Sequence, residues 1–171
     1  MLPTIKEECG LFLVESAGKP LLKSLPKNAD GYRRVKVRKK KTKNDFVATF
    51  NETFFMEYTD IRNRAVFVNG NQIEDEDHEL FYIFPVDGYS FMYNPEVSDS
   101  SESYKKAFHT LIEANGEEGA EIFKDLLQYS YQYDDLPRAI DSGCEIIIYD
   151  ISHYFAIRKT LIDNYTNWFT L

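Results

Sequence analysis

Apolar residues recur along this chain with two different periods, and the changes of period divide it into elements. Ile5, Cys9 and Leu13 are spaced by four, with Phe12 beside them. That spacing predicts an amphipathic helix over residues 5–14, weakened by Gly10. Gly18 ends the helix and Lys19-Pro20 opens the next segment, where Leu21-Leu22 reads as a buried strand. Residues 26–31 are turn-rich. Over 34–38 the order Arg-Val-Lys-Val-Arg sends both valines to one face and the cations to the other, as in an edge strand. Period four returns at Phe46, Phe50 and Phe54, after a cap at Asn44 or Asp45. A helix is therefore predicted over 45–57 with the phenylalanines in the core.

The second half repeats this mixture. Residues 65–68 read as a buried strand closed by Asn69-Gly70-Asn71, a tight-turn sequence. The acidic stretch 74–79 reads as a solvated loop, and 80–85 and 89–93 as strands. Asp99 and Glu102 have capping-box spacing before a helix at 101–115. A second helix spans 117–130, with Ile122, Phe123, Leu126 and Leu127 turned inward. A short helical turn at 135–140 and strands at 144–151 and 154–157 complete the series. No internal repeat or low-complexity linker interrupts it. The sum is an α+β chain, read as one domain over residues 1–171.

Composition narrows the class. With 43% hydrophobic and 15% aromatic residues, the chain has the material for a real core. No apolar run approaches the ~20 residues of a membrane span, and the N-terminus lacks the layout of a signal peptide. A soluble, cytoplasmic protein without membrane attachment is expected. Cys9 and Cys144 show neither paired nor metal-like spacing and read as reduced packing residues. The net charge of −8 is segregated: residues 27–43 hold nine Lys or Arg and one acid, whereas 72–102 hold nine acids and no Lys or Arg. Net acidity argues against general nucleic-acid binding. The basic stretch 33–43 reads either as an anion-binding surface or as a solvated edge that blocks strand pairing.

Common reaction signatures are missing from the sequence. His78, His109 and His153 belong to no ligand motif, and there is no GxSxG, GxGxxG or Walker A segment. Glu145 is the residue that calls for an explanation. It stands in Gly143-Cys144-Glu145-Ile146-Ile147-Ile148-Tyr149, at the mouth of the most strand-like run. A carboxylate is costly to bury, so one fixed there is either a strand-end charge or a group aimed at a cation.

Four segments, in order, resemble those of small phage-encoded proteins of the ADP-ribosyltransferase type. Gly18-Lys19-Pro20-Leu21-Leu22-Lys23-Ser24 resembles their first-strand pattern G-x-P-L-aromatic-R-G. Residues 38–45 resemble the basic segment R-K-x-R-x-P-x-D. Arg62-Asn63-Arg64-Ala65-Val66-Phe67-Val68 resembles the strand R-S-x-S-V-F, and Ala139-Ile140-Asp141-Ser142-Gly143-Cys144-Glu145-Ile146 the closing element in which a glutamate opens E-I-M-I. The likeness extends over about residues 9–157.

The resemblance implies two small sheets with flanking helices around a cleft for NAD, used as a substrate. It implies Glu145 as the catalytic carboxylate, with Lys23, Ser24, Arg62, Asn63 and Phe67 on the nucleotide side. The acceptor would be a host protein or nucleic acid. Lys23 replaces the pattern's Arg, Ser24 its Gly, and Asn63 and Ala65 its serines. Lys keeps the charge but not the planar fork that grips a pyrophosphate in two places. Those replacements open a second reading, a non-catalytic relative that binds and inhibits a host factor or sequesters a nucleotide. A third follows from charge alone: an acidic interaction protein whose 72–102 surface mimics a polyanion.

Overall fold

Two helices, α1 (Leu2–Glu8) and α2 (Gly10–Glu15), form where one was predicted, broken at Cys9 just before the glycine. Their shared apolar face survives the break, since Ile5, Cys9, Phe12 and Leu13 are all buried. The structure is a computed structural model that describes residues 2–27, 30–38, 44–54, 61–69 and 77–162. The predicted features at 39–43, 55–57, 70–71 and 74–76 lie outside these residues.

The elements continue as β1 (Leu21–Pro26), β2 (Tyr32–Lys36), α3 (Asp45–Thr53), α4 (Ile61–Arg64), β3 (Val66–Asn69), β4 (His78–Pro85) and β5 (Ser90–Tyr93). Then follow α5 (Ser100–Asn115), α6 (Glu118–Ser130), α7 (Leu136–Asp141), β6 (Glu145–Tyr149), β7 (His153–Arg158) and a 3₁₀ turn (Lys159–Leu161). The expected α+β class holds. None of the helices among the described residues is long and apolar enough to cross a membrane.

The seven strands among the described residues join one antiparallel sheet in the order β2-β7-β4-β1-β3-β6-β5. This corrects the expectation of two small sheets. The reason the sheet is continuous is narrow: β1 meets β3 at the single pair Leu22↔Asn69, although it pairs with β4 along its whole length. The edge-strand reading of the Arg-Val-Lys segment holds, because β2 is an outer strand.

Alternation of side chains splits the core into two layers. Ile146 and Ile148 of β6, with Val66 and Val68 of β3, pack with α1, α2 and α7. Ile147 and Tyr149, with Phe67, pack on the other face against α3, α5 and α6. Phe46 and Phe50 are buried there as their spacing predicts, with Phe54 packed at the margin. Asp99 caps α5 through the Glu102 amide at 2.9 Å, as the capping-box spacing predicts.

Two expectations are corrected. Arg62 and Asn63 belong to the helical turn α4, so the strand begins at Val66 and not earlier. On α6, Phe123 and Leu127 are fully buried, but Ile122 and Leu126 are 39% and 42% exposed. α5 and α6 approach closely at Gly119, where a Cβ would lie 2.3 Å from the Leu111 carbonyl oxygen of α5. Phe123 and Leu127 fill the core side of α6, and Ile122 and Leu126 stand at the outer edge of its apolar arc.

Candidate functional site

Glu145 is placed by backbone before its side chain does anything. Gly143, at φ +68°, turns the chain into β6, a conformation glycine adopts without steric cost. The Glu145 amide then donates to the Val97 carbonyl at 3.4 Å, and its Cα faces that of Asn69 on β3. This brings the start of β6 against the start of α5. The Ser100 amide donates to Glu145 Oε1 at 3.3 Å, and the Ser100 hydroxyl donates to the same oxygen. A carboxylate at a helix N-terminus meets unsatisfied amides and the positive end of the helix dipole.

Arg62 completes the chain of bonds. Its backbone amide is held by Asn51 Oδ1 at 2.9 Å, and its Nη1 donates to Ser100 Oγ at 2.9 Å. A guanidinium has no acceptor, so Ser100 Oγ must accept from it and pass its own proton toward Glu145. The guanidinium carbon lies 5.0 Å from the centroids of Phe46 and Phe50 and 5.1 Å from that of Phe67. Three ring faces around one cation substitute in part for lost water.

Burial opposes both charges, and the two charges support each other. Burial raises the Glu145 pKa above its ordinary value, while Ser100 and then Arg62 pull it back. Burial lowers the Arg62 pKa, with Glu145 the largest influence in the other direction. Tyr131 closes the cluster: its phenol is raised by burial first, then by Tyr104 and Glu145, with Ser100 acting the other way. Tyr131 also stacks edge-on to Phe50 and Phe54. The result is a fixed carboxylate and a fixed guanidinium in a nest of aromatic rings.

The other expected residues fall around Phe67. Leu22, Asn69 and Glu145 stand in one row across β1, β3 and β6. Alternation therefore turns Lys23 to the face opposite Glu145. Lys23 Nζ donates to the Phe67 carbonyl at 2.6 Å, beside the narrow join of β1 and β3. It also lines a cavity of about 140 Å³ together with Lys36, Arg38, Val66, Phe67 and Tyr154. Ser24 lies half-buried on β1 opposite Leu80. Asn63 sits in α4 beside Arg62. The structure thus gathers Arg62, Phe67 and Glu145, and attaches Lys23 to the far side of Phe67.

Part of the basic stretch is used internally. Arg33 lies over the Phe81 ring at 4.6 Å and donates to the Pro26 carbonyl, and Arg34 reaches Glu8 at 3.3 Å. Cys9 is an inert packing thiol, its pKa pushed up to about 12 by burial and the nearby acids Asp87 and Glu8. Sequence reasoning missed Ser100 and Tyr131. The capping spacing at Asp99 marked where α5 starts, but nothing local marked that β6 would end against it.

Comparison of the chain with protein-family models, with curated proteins and with solved structures gives no match.

Proposed function

We propose that the chain acts as a mono-ADP-ribosyltransferase-like protein that uses NAD to modify a host macromolecule, with Glu145 as the catalytic carboxylate. The observation that carries this reading is the Arg62–Ser100–Glu145 chain, which fixes an ionisable carboxylate at the opening of β6. In such a reaction the bond from ribose C1′ to nicotinamide nitrogen breaks and its electron pair leaves with nicotinamide. Positive charge grows on the ribose, and a pre-positioned carboxylate stabilises it without reorganising. The acceptor's nucleophilic atom then bonds to C1′ and releases its proton. Arg62 and Phe67 stand on the nucleotide side of Glu145 in this reading. Taken from the resemblance alone, Lys23 would contact the pyrophosphate, Asn63 would line the nicotinamide side with Phe67, and Ser24 would lie with the cofactor-binding residues.

The test is incubation of the chain with labelled NAD and mixtures of bacterial proteins and nucleic acids. Label is expected on one acceptor class with the wild type and a loss of about 10²-fold or more with Glu145→Gln. Equal transfer by the two proteins would remove Glu145 from the mechanism.

One observation favours the second reading, a relative that binds without transfer. The Lys23 ammonium is engaged with the Phe67 carbonyl, on the sheet face opposite Glu145. Calorimetry distinguishes the two: NAD binding that is unchanged in Lys23→Ala, without label transfer, is the outcome expected of the second.

A further inference from the structure

The face of α6 that the core leaves uncovered has an organised chemistry of its own. Ile122, Leu126 and Tyr129 are 39%, 42% and 89% exposed. Spacings of four and three set them in one stripe along the helix. Phe123 and Leu127 already fill the inward face, so α6 is apolar over a wider arc than its packing uses. Glu118 lies one turn before Ile122, and Asp125 one turn before Tyr129, both solvated. The helix's one cation, Lys124, is taken by Glu121 at 2.9 Å and by Glu52 of α3 at 3.2 Å.

We propose that this stripe is a docking surface for a basic amphipathic segment of a partner protein. Its aliphatic centre would receive apolar side chains, and Glu118 and Asp125 would meet Lys or Arg one turn away. Tyr129 offers a large amphipathic contact of the type that dominates interface energies. Charge selects among occupants. Phosphate backbones and anionic lipid surfaces are repelled by this rim. In a two-fold contact with a second copy, the acidic rims of both copies would crowd the same interface. The inference is independent of any NAD chemistry.

Two synthetic peptides test it against the full chain: a Lys/Leu peptide patterned as an amphipathic helix, and a Lys/Gln peptide of equal length and charge. Titration calorimetry is expected to show the Lys/Leu peptide binding about tenfold or more tightly. Leu126→Ser combined with Tyr129→Ser is expected to reduce it to the level of the Lys/Gln peptide. Glu118→Lys combined with Asp125→Lys is expected to weaken both peptides. Should the first double variant be poorly folded, Tyr129→Ser alone, at a nearly fully exposed position, is expected to weaken the Lys/Leu peptide by about threefold or more. Wild-type affinity in these apolar-stripe variants would overturn the proposal. So would a wild-type dimer in sedimentation that the Leu126/Tyr129 variant fails to form.

Discussion

Arg62 and Glu145, eighty-three positions apart in sequence, are joined by one hydroxyl, that of Ser100, which accepts from the first and donates to the second. Both charges are buried against their own preference. Among the described residues neither is held by a direct ion pair; the serine sets the order of the chain. Removing one member of such a group leaves a buried polar atom of its neighbour without that partner, which costs more than the bond itself is worth.

Ser100→Ala is therefore expected to destabilise the fold by about 1–3 kcal/mol, the range for leaving buried polar groups unpaired. Urea denaturation followed by far-ultraviolet dichroism measures it. An unchanged midpoint would mean that the hydroxyl is replaceable by water.

Glu145→Gln should change how stability depends on pH. The folded-state pKa of Glu145 is raised by burial above the ordinary value of 4.5, so the folded protein holds the proton more tightly than the unfolded chain. Its contribution favours folding at low pH and declines as pH rises from 4.5 through the raised folded value. Gln keeps the neutral form at every pH. The variant should match the wild type near pH 4 and gain relative stability toward pH 8. Melting temperatures of the two proteins across that range supply the comparison, and parallel curves would contradict the burial account.

Neighbouring leucines on α6 give a sharp contrast. Leu127→Ala is expected to cost about 2–5 kcal/mol, as for a fully buried leucine. Leu126→Ala, at a position 42% exposed, should cost about 1 kcal/mol or less. Equal costs would mean that the rotation of α6 is wrong.

Gly119→Ala should be destabilising although alanine is the better helix former by about 1 kcal/mol. The added Cβ meets the Leu111 backbone oxygen, so α5 and α6 must move apart at a cost of about 1–3 kcal/mol. Thermal unfolding that shifts upward would show that the crossing relaxes freely.

Much of the fold was legible because its signals are local. Period four placed Phe46 and Phe50, the Asp99 cap placed α5, and the β-branched run placed β6. The site was legible only in part. Glu145 stood out through its position before three isoleucines, and Arg62 and Phe67 came from the resemblance. Ser100 and Tyr131 gave no local signal, because what matters is which strand end meets which helix start. The rotation of α6 escaped for a related reason: apolar periodicity fixes a helix's stripe, but which edge of it is buried depends on where α5 and the rest of the core lie against it. The single sheet likewise depends on one long-range pair, Leu22↔Asn69, that no residue spacing announces.

That pair has a consequence for how the molecule can be taken apart. Strands β2, β7, β4 and β1 lie on one side of the join, and β3, β6 and β5 on the other. In chain order the polypeptide passes over the join between β2 and β3, between β3 and β4, between β4 and β5, and between β6 and β7. The seam is weak in hydrogen bonds yet stitched by covalent thread. No single cut releases either side as an intact fragment, so neither half can be expressed alone, swapped into a relative or lost by truncation without unravelling its counterpart.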